Sequence, residues 1–321
     1  HKAWREQFHR HIAAALGLLV FALAVIAARK RRFGIASIVS AAGLVALSIP
    51  AYTGFAGLFA ANHELAVGLF LAAELILLIQ AIRWSNEDAA RLTALLSAVI
   101  VFQAVLGMWT VIWLVKPVIV MAHLMGGLLT FSMLTWLAWR ATPDTALIQG
   151  ISRPLKTLLW IGLALLAVQI ALGGWTSANY AALACGTDFP TCNGQWLPAH
   201  DFREALVLWR GIGVDYEGGV LDGPARVAIQ LMHRGMAVIV ALYLLGIALK
   251  LIRTPGLAYW GSLLLLLALA QVALGISNVV YSLPLWVAVA HNAGAALLLF
   301  VVVGLLARLR EPEQSPEPVQ D

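Results

Sequence analysis

Four of the eight histidines in this 321-residue chain stand at positions that repeat. Gln103-Ala-Val-Leu-Gly107 and Gln271-Val-Ala-Leu-Gly275 are two copies of one motif, and a histidine follows each glutamine by twenty residues: His123 and His291. Upstream of each lies a second histidine followed by arginine, in Glu6-Gln-Phe-His9-Arg10 and in Gln230-Leu-Met-His233-Arg234. A third Gln-x-x-Leu-Gly, Gln169 to Gly173, precedes the second His-Arg pair. A lone histidine in an apolar helix is often a packing residue bonded to a backbone carbonyl. Four at repeat-related positions point instead to a shared metal-binding task. Imidazole nitrogen is a good axial ligand for heme iron, and helix-bundle cores are common cofactor sites. Gly126-Gly127 and Gly294-Ala295-Ala296 follow two of the histidines. Such small residues either leave room for a flat macrocycle or allow close helix packing.

The two halves differ three residues before the first histidine of each, where Glu6 is matched by Gln230. Residues three apart share a helix face, so a carboxylate accompanies His9 and an amide accompanies His233. Oxidation chemistry on a bound substrate can use a proton acceptor, whereas a purely structural heme does not need one. The other reading of Glu6 is an ion pair with Arg10, one turn along. Arg10 and Arg234 offer guanidinium groups that suit heme propionates, or that snorkel to lipid headgroups.

The elements that carry these residues are membrane helices. The chain is 61% hydrophobic and 12% charged, with mean hydropathy +0.87, about half the charged fraction of an ordinary soluble domain. Apolar runs long enough to cross a hydrocarbon core recur throughout, and no alternating-strand pattern appears. The expected class is an all-α membrane protein of two pseudo-symmetric transmembrane helix bundles. Its nine helices are expected near 8–28, 34–58, 65–82, 92–112, 118–139, 157–175, 226–248, 257–277 and 284–306. His123, His233 and His291 follow Pro117, Pro224 and Pro284 closely, which at 1.5 Å per residue sets them about 9–14 Å into their helices. The net charge of +5 is no nucleic-acid signal: the basic residues sit in short clusters between apolar runs. Arg29-Lys30-Arg31-Arg32 marks one loop as cytoplasmic. Alternation then puts Arg83, Arg91, Arg140, Arg153, Lys156, Lys250, Arg253, Arg308 and Arg310 on the same side, with the N-terminus outside and the C-terminus cytoplasmic.

The long segment 176–225 then lies outside and holds both cysteines, Cys185 and Cys192. In an oxidising compartment a disulfide is the leading reading. Free thiols and a metal site are the alternatives. His233 to His291 spans 58 residues and His9 to His123 spans 114, and the excess matches the two helices at 34–58 and 65–82. These read as a hairpin inserted at about 33–88, with His63-Glu64 at its turn and Glu74 in mid-membrane. The domain reading is therefore a first bundle over 1–140, a second over 141–310 and a disordered Pro- and Glu-rich tail over 311–321. By symmetry a helix should precede His9. The chain begins at His1 without Met, so a further N-terminal segment is expected before it.

At Glu6-x-x-His9-Arg10, the His123 helix, the stretch from Asn179 to Cys185, Phe189-Pro-Thr-Cys192-Asn-Gly-Gln-Trp196, the His233-Arg234 helix and the His291 helix, the chain resembles the heme A synthase family. The likeness covers residues 1–28 and 92–306. It implies an eight-helix core of two four-helix bundles in the bacterial inner membrane. The implied reaction converts heme O to heme A for cytochrome oxidase, oxidising a porphyrin methyl to a formyl group by successive hydroxylation and loss of water. Carried over residue by residue, His9, His123 and Arg10 would face the substrate heme, with Glu6 as the catalytic carboxylate. His233, His291 and Arg234 would hold a heme b, and Cys185 and Cys192 would form a disulfide. The implied partners are heme O, membrane lipid, heme O synthase, cytochrome oxidase assembly proteins and an electron donor that no motif identifies. The family's first helix and first outer loop, which often bears another cysteine pair, would precede His1. A diheme membrane cytochrome that only carries electrons, or a heme-binding assembly factor without turnover, are the competing readings.

Overall fold

A computed structural model describes residues 2–54, 61–85, 89–141, 148 and 153–309. Every regular element among them is a helix: α1 (Lys2–Ala28), α2 (Gly34–Thr53), α3 (His63–Arg83), α4 (Ala89–Ile112), α5 (Pro117–Arg140), α6 (Arg153–Ala178), α7 (Phe202–Ala205), α8 (Gly223–Ile252), α9 (Ala258–Val280) and α10 (Leu285–Arg308). Nine of the described helices, all but the one-turn α7, are long and apolar enough to cross a membrane. The protein is thus a multi-pass all-α membrane protein, as its apolar runs predict. Several helices outrun the predicted limits, by about a turn in most and by six residues at the start of α1, because their ends carry Arg, Lys or Asp residues that dilute the apolar signal. The stretch predicted to continue α2 to residue 58 and the predicted disordered tail fall mostly outside the described residues.

The chain forms two compact units, His1–Val105 and Leu106–Asp321, with the division inside α4. In the first unit α2 and α3 pair as a hairpin, and α1 packs on α2. Its core is built from small residues: Ala24 and Ala28 of α1, Ala41 of α2, Ala73 and Ala81 of α3, and Ala90, Ala94 and Ala98 of α4. Where lipid is as apolar as the side chains, close backbone approach and van der Waals contact hold helices together. Gln80 Nε2 donates to Ser37 Oγ at 2.9 Å across the hairpin, while Glu74 Oε1 is buried with no hydrogen-bond partner among the described residues. Helix α1 runs through Glu6 and His9 from Lys2.

The second unit is a bundle in which α8 packs against α6 and α9, and α10 packs against α9, α6 and α5. Helices α8 and α10 therefore occupy opposite corners. Two capped starts fix α8: Asp222 accepts from the Ala225 N–H at 2.9 Å and Pro224 sits in the first turn, positions each residue type favours. The apolar core lies toward one end of the bundle, where Leu159, Leu244, Leu251, Leu264, Leu305 and Leu306 are fully buried. At this end Gly304 makes room for the Trp139 indole, 2.8 Å from where a Cβ would stand. The other end carries the histidines, under the segment between Ala178 and Gly223.

Candidate heme site

His233 on α8 and His291 on α10 both lie toward the segment end of the second unit, half-buried and within electrostatic range of one another. Each is seated the same way. A Cβ added at Gly173 of α6 would stand 3.2 Å from Cε1 of His233, and one added at Gly275 of α9 would stand 3.2 Å from Cε1 of His291. The third copy agrees: a Cβ at Gly107 of α4 would stand 3.2 Å from Cε1 of His123 on α5. Each imidazole edge thus rests on bare helix backbone. A Cβ at 3.2 Å would press on the ring and make it give by a few tenths of an ångström, which is the physical content of the repeated glycine.

The glutamine one turn before each glycine also has a task. Gln169 Nε2 donates to the His233 carbonyl at 3.2 Å and lies 3.1 Å from His233 Nδ1. Gln271 Nε2 donates to the His291 carbonyl at 3.0 Å. The motif was legible as a repeat marker, but its contact with the histidines needed the helix pairing. Gly294, read as room for a macrocycle or for close packing, lies where a side chain would collide with Gln271 Oε1. It therefore serves the packing of the glutamine.

Arg234 is engaged outside the bundle. Its Nη1 donates to the Thr191 carbonyl at 2.9 Å and its Nη2 to the Asp188 carbonyl at 3.0 Å. Its Nε is buried without a hydrogen-bond partner among the described residues. Thr191 and Asp188 lie in the loop closed by the Cys185–Cys192 disulfide, and both cysteines are buried against Val227 of α8. Of the readings open for the cysteines, the disulfide is the one formed. The predicted loop 176–225 is largely ordered on the bundle: Trp175 Nε1 donates to the Ala205 carbonyl at 3.0 Å, and Tyr216 is buried. Lys116, before α5, is 1% exposed, with its ammonium 3.4 Å from the Trp209 ring centroid and 5.5 Å from that of Trp113. Burial pushes this amine below the ordinary lysine value.

Glu6, His9 and Arg10 lie on α1 in the first unit. Glu6 and Arg10 make the one-turn ion pair, Oε1 to Nη2 at 2.5 Å, with both side chains about half exposed. His9 is exposed on the same helix, and His123 is half-buried on α5 in the second unit.

The second unit tests whether its residues suit a heme. Two histidines project from opposite corners of one bundle, each seated in a notch that a Cβ would fill. Gln169 addresses Nδ1 of His233, and Nδ1 of His291 is buried without a hydrogen-bond partner among the described residues; iron would take Nε2 of each ring, with the proton on Nδ1. This donor set fits a bis-histidine heme.

Fold and site define a class, the polytopic helical-bundle membrane proteins with paired interior histidines. Residues 64–303 match the family described as cytochrome oxidase assembly protein. The chain is 37% identical to a heme A synthase of Shewanella oneidensis over 303 residues, 94% of this chain and 75% of that protein. It is 27% identical to one of Shouchella clausii over 258 residues, 76% of each chain. It is 33% identical to one of Paracoccus denitrificans over 150 residues, 46% of this chain and 36% of that protein. The chain belongs to the cytochrome oxidase assembly family that contains the heme A synthases.

Proposed function

We propose that this chain is a heme A synthase, a membrane oxidoreductase that converts the methyl group of heme O to the formyl group of heme A for cytochrome oxidase biogenesis. The observation that carries the reading is the pair His233 and His291, seated on glycines of neighbouring helices in one bundle, within a chain that matches heme A synthases over most of its length. Heme b bound there supplies one-electron redox chemistry. His233 and His291 hold and orient it. Arg234, with donors beyond the two on Thr191 and Asp188, keeps a positive charge for a propionate while securing the disulfide loop. On the substrate side, in this reading, His9, His123 and Arg10 face heme O. Glu6, the residue that breaks the symmetry with Gln230, would serve as the proton acceptor beside the substrate heme. The chain sits in the bacterial inner membrane, with the Cys185–Cys192 loop outside and the C-terminus in the cytoplasm, as the clustering of basic residues directs. An electron donor, heme O synthase and cytochrome oxidase assembly proteins are the partners this role calls for.

The test is mass-resolved chromatography of hemes extracted from membranes that co-express this chain with a heme O synthase. Heme A or its hydroxylated precursor is expected. The Glu6–Arg10 ion pair favours a second reading, in which Glu6 is structural and the protein is a diheme electron carrier or a heme-binding assembly factor. Heme B with unconverted heme O alone would select that reading.

A further inference from the structure

The glutamine-glycine motif serves the histidines in two distinguishable ways. Glycine sets the distance: the imidazole edge lies against helix backbone at Gly173 and Gly275 with almost identical geometry, Cε1 nearest in both and Nδ1 3.8 Å from the absent Cβ position. Glutamine ties down the backbone that carries the ring, because its amide holds the histidine's own carbonyl from the neighbouring helix. The pairs differ at the ring. Gln169 Nε2 is 3.1 Å from His233 Nδ1, whereas Gln271 reaches the carbonyl alone and His291 Nδ1 has no partner. An imidazole that binds iron through Nε2 carries its proton on Nδ1 and needs an acceptor there. The Gln169 amide has one to give: its Oε1 is buried without a hydrogen-bond partner among the described residues, and turning the amide over would present that oxygen to Nδ1 in exchange for the bond from Nε2 to the His233 carbonyl.

We propose that Gln169 with Gly173 and Gln271 with Gly275 are positioning pairs for the two axial histidines, and that Gln169 alone also tunes its ligand through the ring nitrogen opposite the iron. This rests on the reading that His233 and His291 hold heme b. The glycines let each imidazole stand close to the neighbouring helix, the glutamines tie the histidine-bearing helices to it, and Gln169 alone reaches the ring. As iron ligands His233 and His291 would be unequal in basicity, because an amide stands at Nδ1 of the first and no partner does at Nδ1 of the second among the described residues. Outer partners of this kind are known to tune metal sites.

The experiment uses the full chain purified with its native heme, and reads heme-to-protein ratio, reduction midpoint and the low-spin electron paramagnetic resonance signal. Gln169→Glu supplies a stronger acceptor to Nδ1–H, so heme is retained and the midpoint falls. Gln169→Leu removes the acceptor, and the midpoint rises. Gln271→Leu moves the midpoint less than Gln169→Leu, and Gly275→Ala retains heme with an altered low-spin signal as the His291 ring is displaced. Leu264→Ala, in the buried core at the other end of the bundle, is the control: it lowers thermal stability and leaves midpoint and low-spin signal unchanged. Wild-type midpoint and signal in both Gln169 variants at full heme occupancy would overturn the proposal. Heme loss from a folded Gln169→Leu protein, restored by Gln169→Glu, supports it. Heme loss in both Gln169 variants together with lost folding reduces the pair to a structural role and overturns it. A wild-type chain without heme b, or a His291→Ala variant that keeps the wild-type spectrum, refutes the underlying assignment instead.

Discussion

Arg234 Nη1 donates to the carbonyl of Thr191 at 2.9 Å, so the residue after His233 is tied to the residue before Cys192. With the companion bond to Asp188, one guanidinium fastens the disulfide loop to α8 beside the candidate ligand. Hydrogen bonds from charged donors contribute about 1.5–3 kcal/mol each. Arg234→Ala should therefore raise amide hydrogen exchange across residues 186–194 by at least about tenfold. Lysine, a point charge without the planar fork, should restore only part of the protection. Unchanged exchange in Arg234→Ala would show that packing against Val227 alone holds the loop.

Glu6 is tested by removing its charge at constant shape. In Glu6→Gln, heme A formation should fall sharply while the heme b spectrum persists. The ion pair with Arg10 is about half exposed, so stability should change by no more than about 1 kcal/mol. Turnover at the wild-type rate would take Glu6 out of the reaction.

Lys116 gives a pH signature. Its folded-state value lies below the ordinary one of about 10.4 because the amine is buried. Between those two values the unfolded chain holds a proton that the folded chain lacks, so stability rises with pH across that window. Below the window the cost of the buried charge is fully present, offset in part by the Trp209 ring. Thermal unfolding in detergent should show this alkaline rise in the wild type, and Lys116→Met should lack it.

Gly261 is a packing test in the second unit. A Cβ there would stand 2.6 Å from the Ile252 backbone nitrogen and 2.7 Å from the Ala248 carbonyl oxygen. Backbone atoms cannot move aside as side chains do, so Gly261→Ala should destabilise by at least about 1–3 kcal/mol. A melting temperature equal to wild type would mean that α8 and α9 can separate locally.

Much of the fold was legible because membrane helices announce themselves by length and hydropathy, and the repeat located His123, His233 and His291 on separate helices. Helix ends were less legible: the last turn of α8, from Leu249 to Ile252, mixes Lys250 into an apolar run. The role of Arg234 was hidden because its acceptors are backbone carbonyls in a loop some forty residues away, and a carbonyl has no residue type to read. The contact between Gly173 and His233 was hidden for a related reason. A glycine signals only that something comes close, and its neighbour depends on which helices pair.

The buried leucines around Leu244, Leu264 and Leu305 act as a plug at one end of the second bundle. The disulfide loop caps α8 at the other. A large flat guest that passed through neither plug nor loop would reach His233 and His291 sideways between helices, from the bilayer itself. Its supply would then be governed by partition into lipid rather than by concentration in water, and exchange of the bound group would be as slow as the parting of two packed helices.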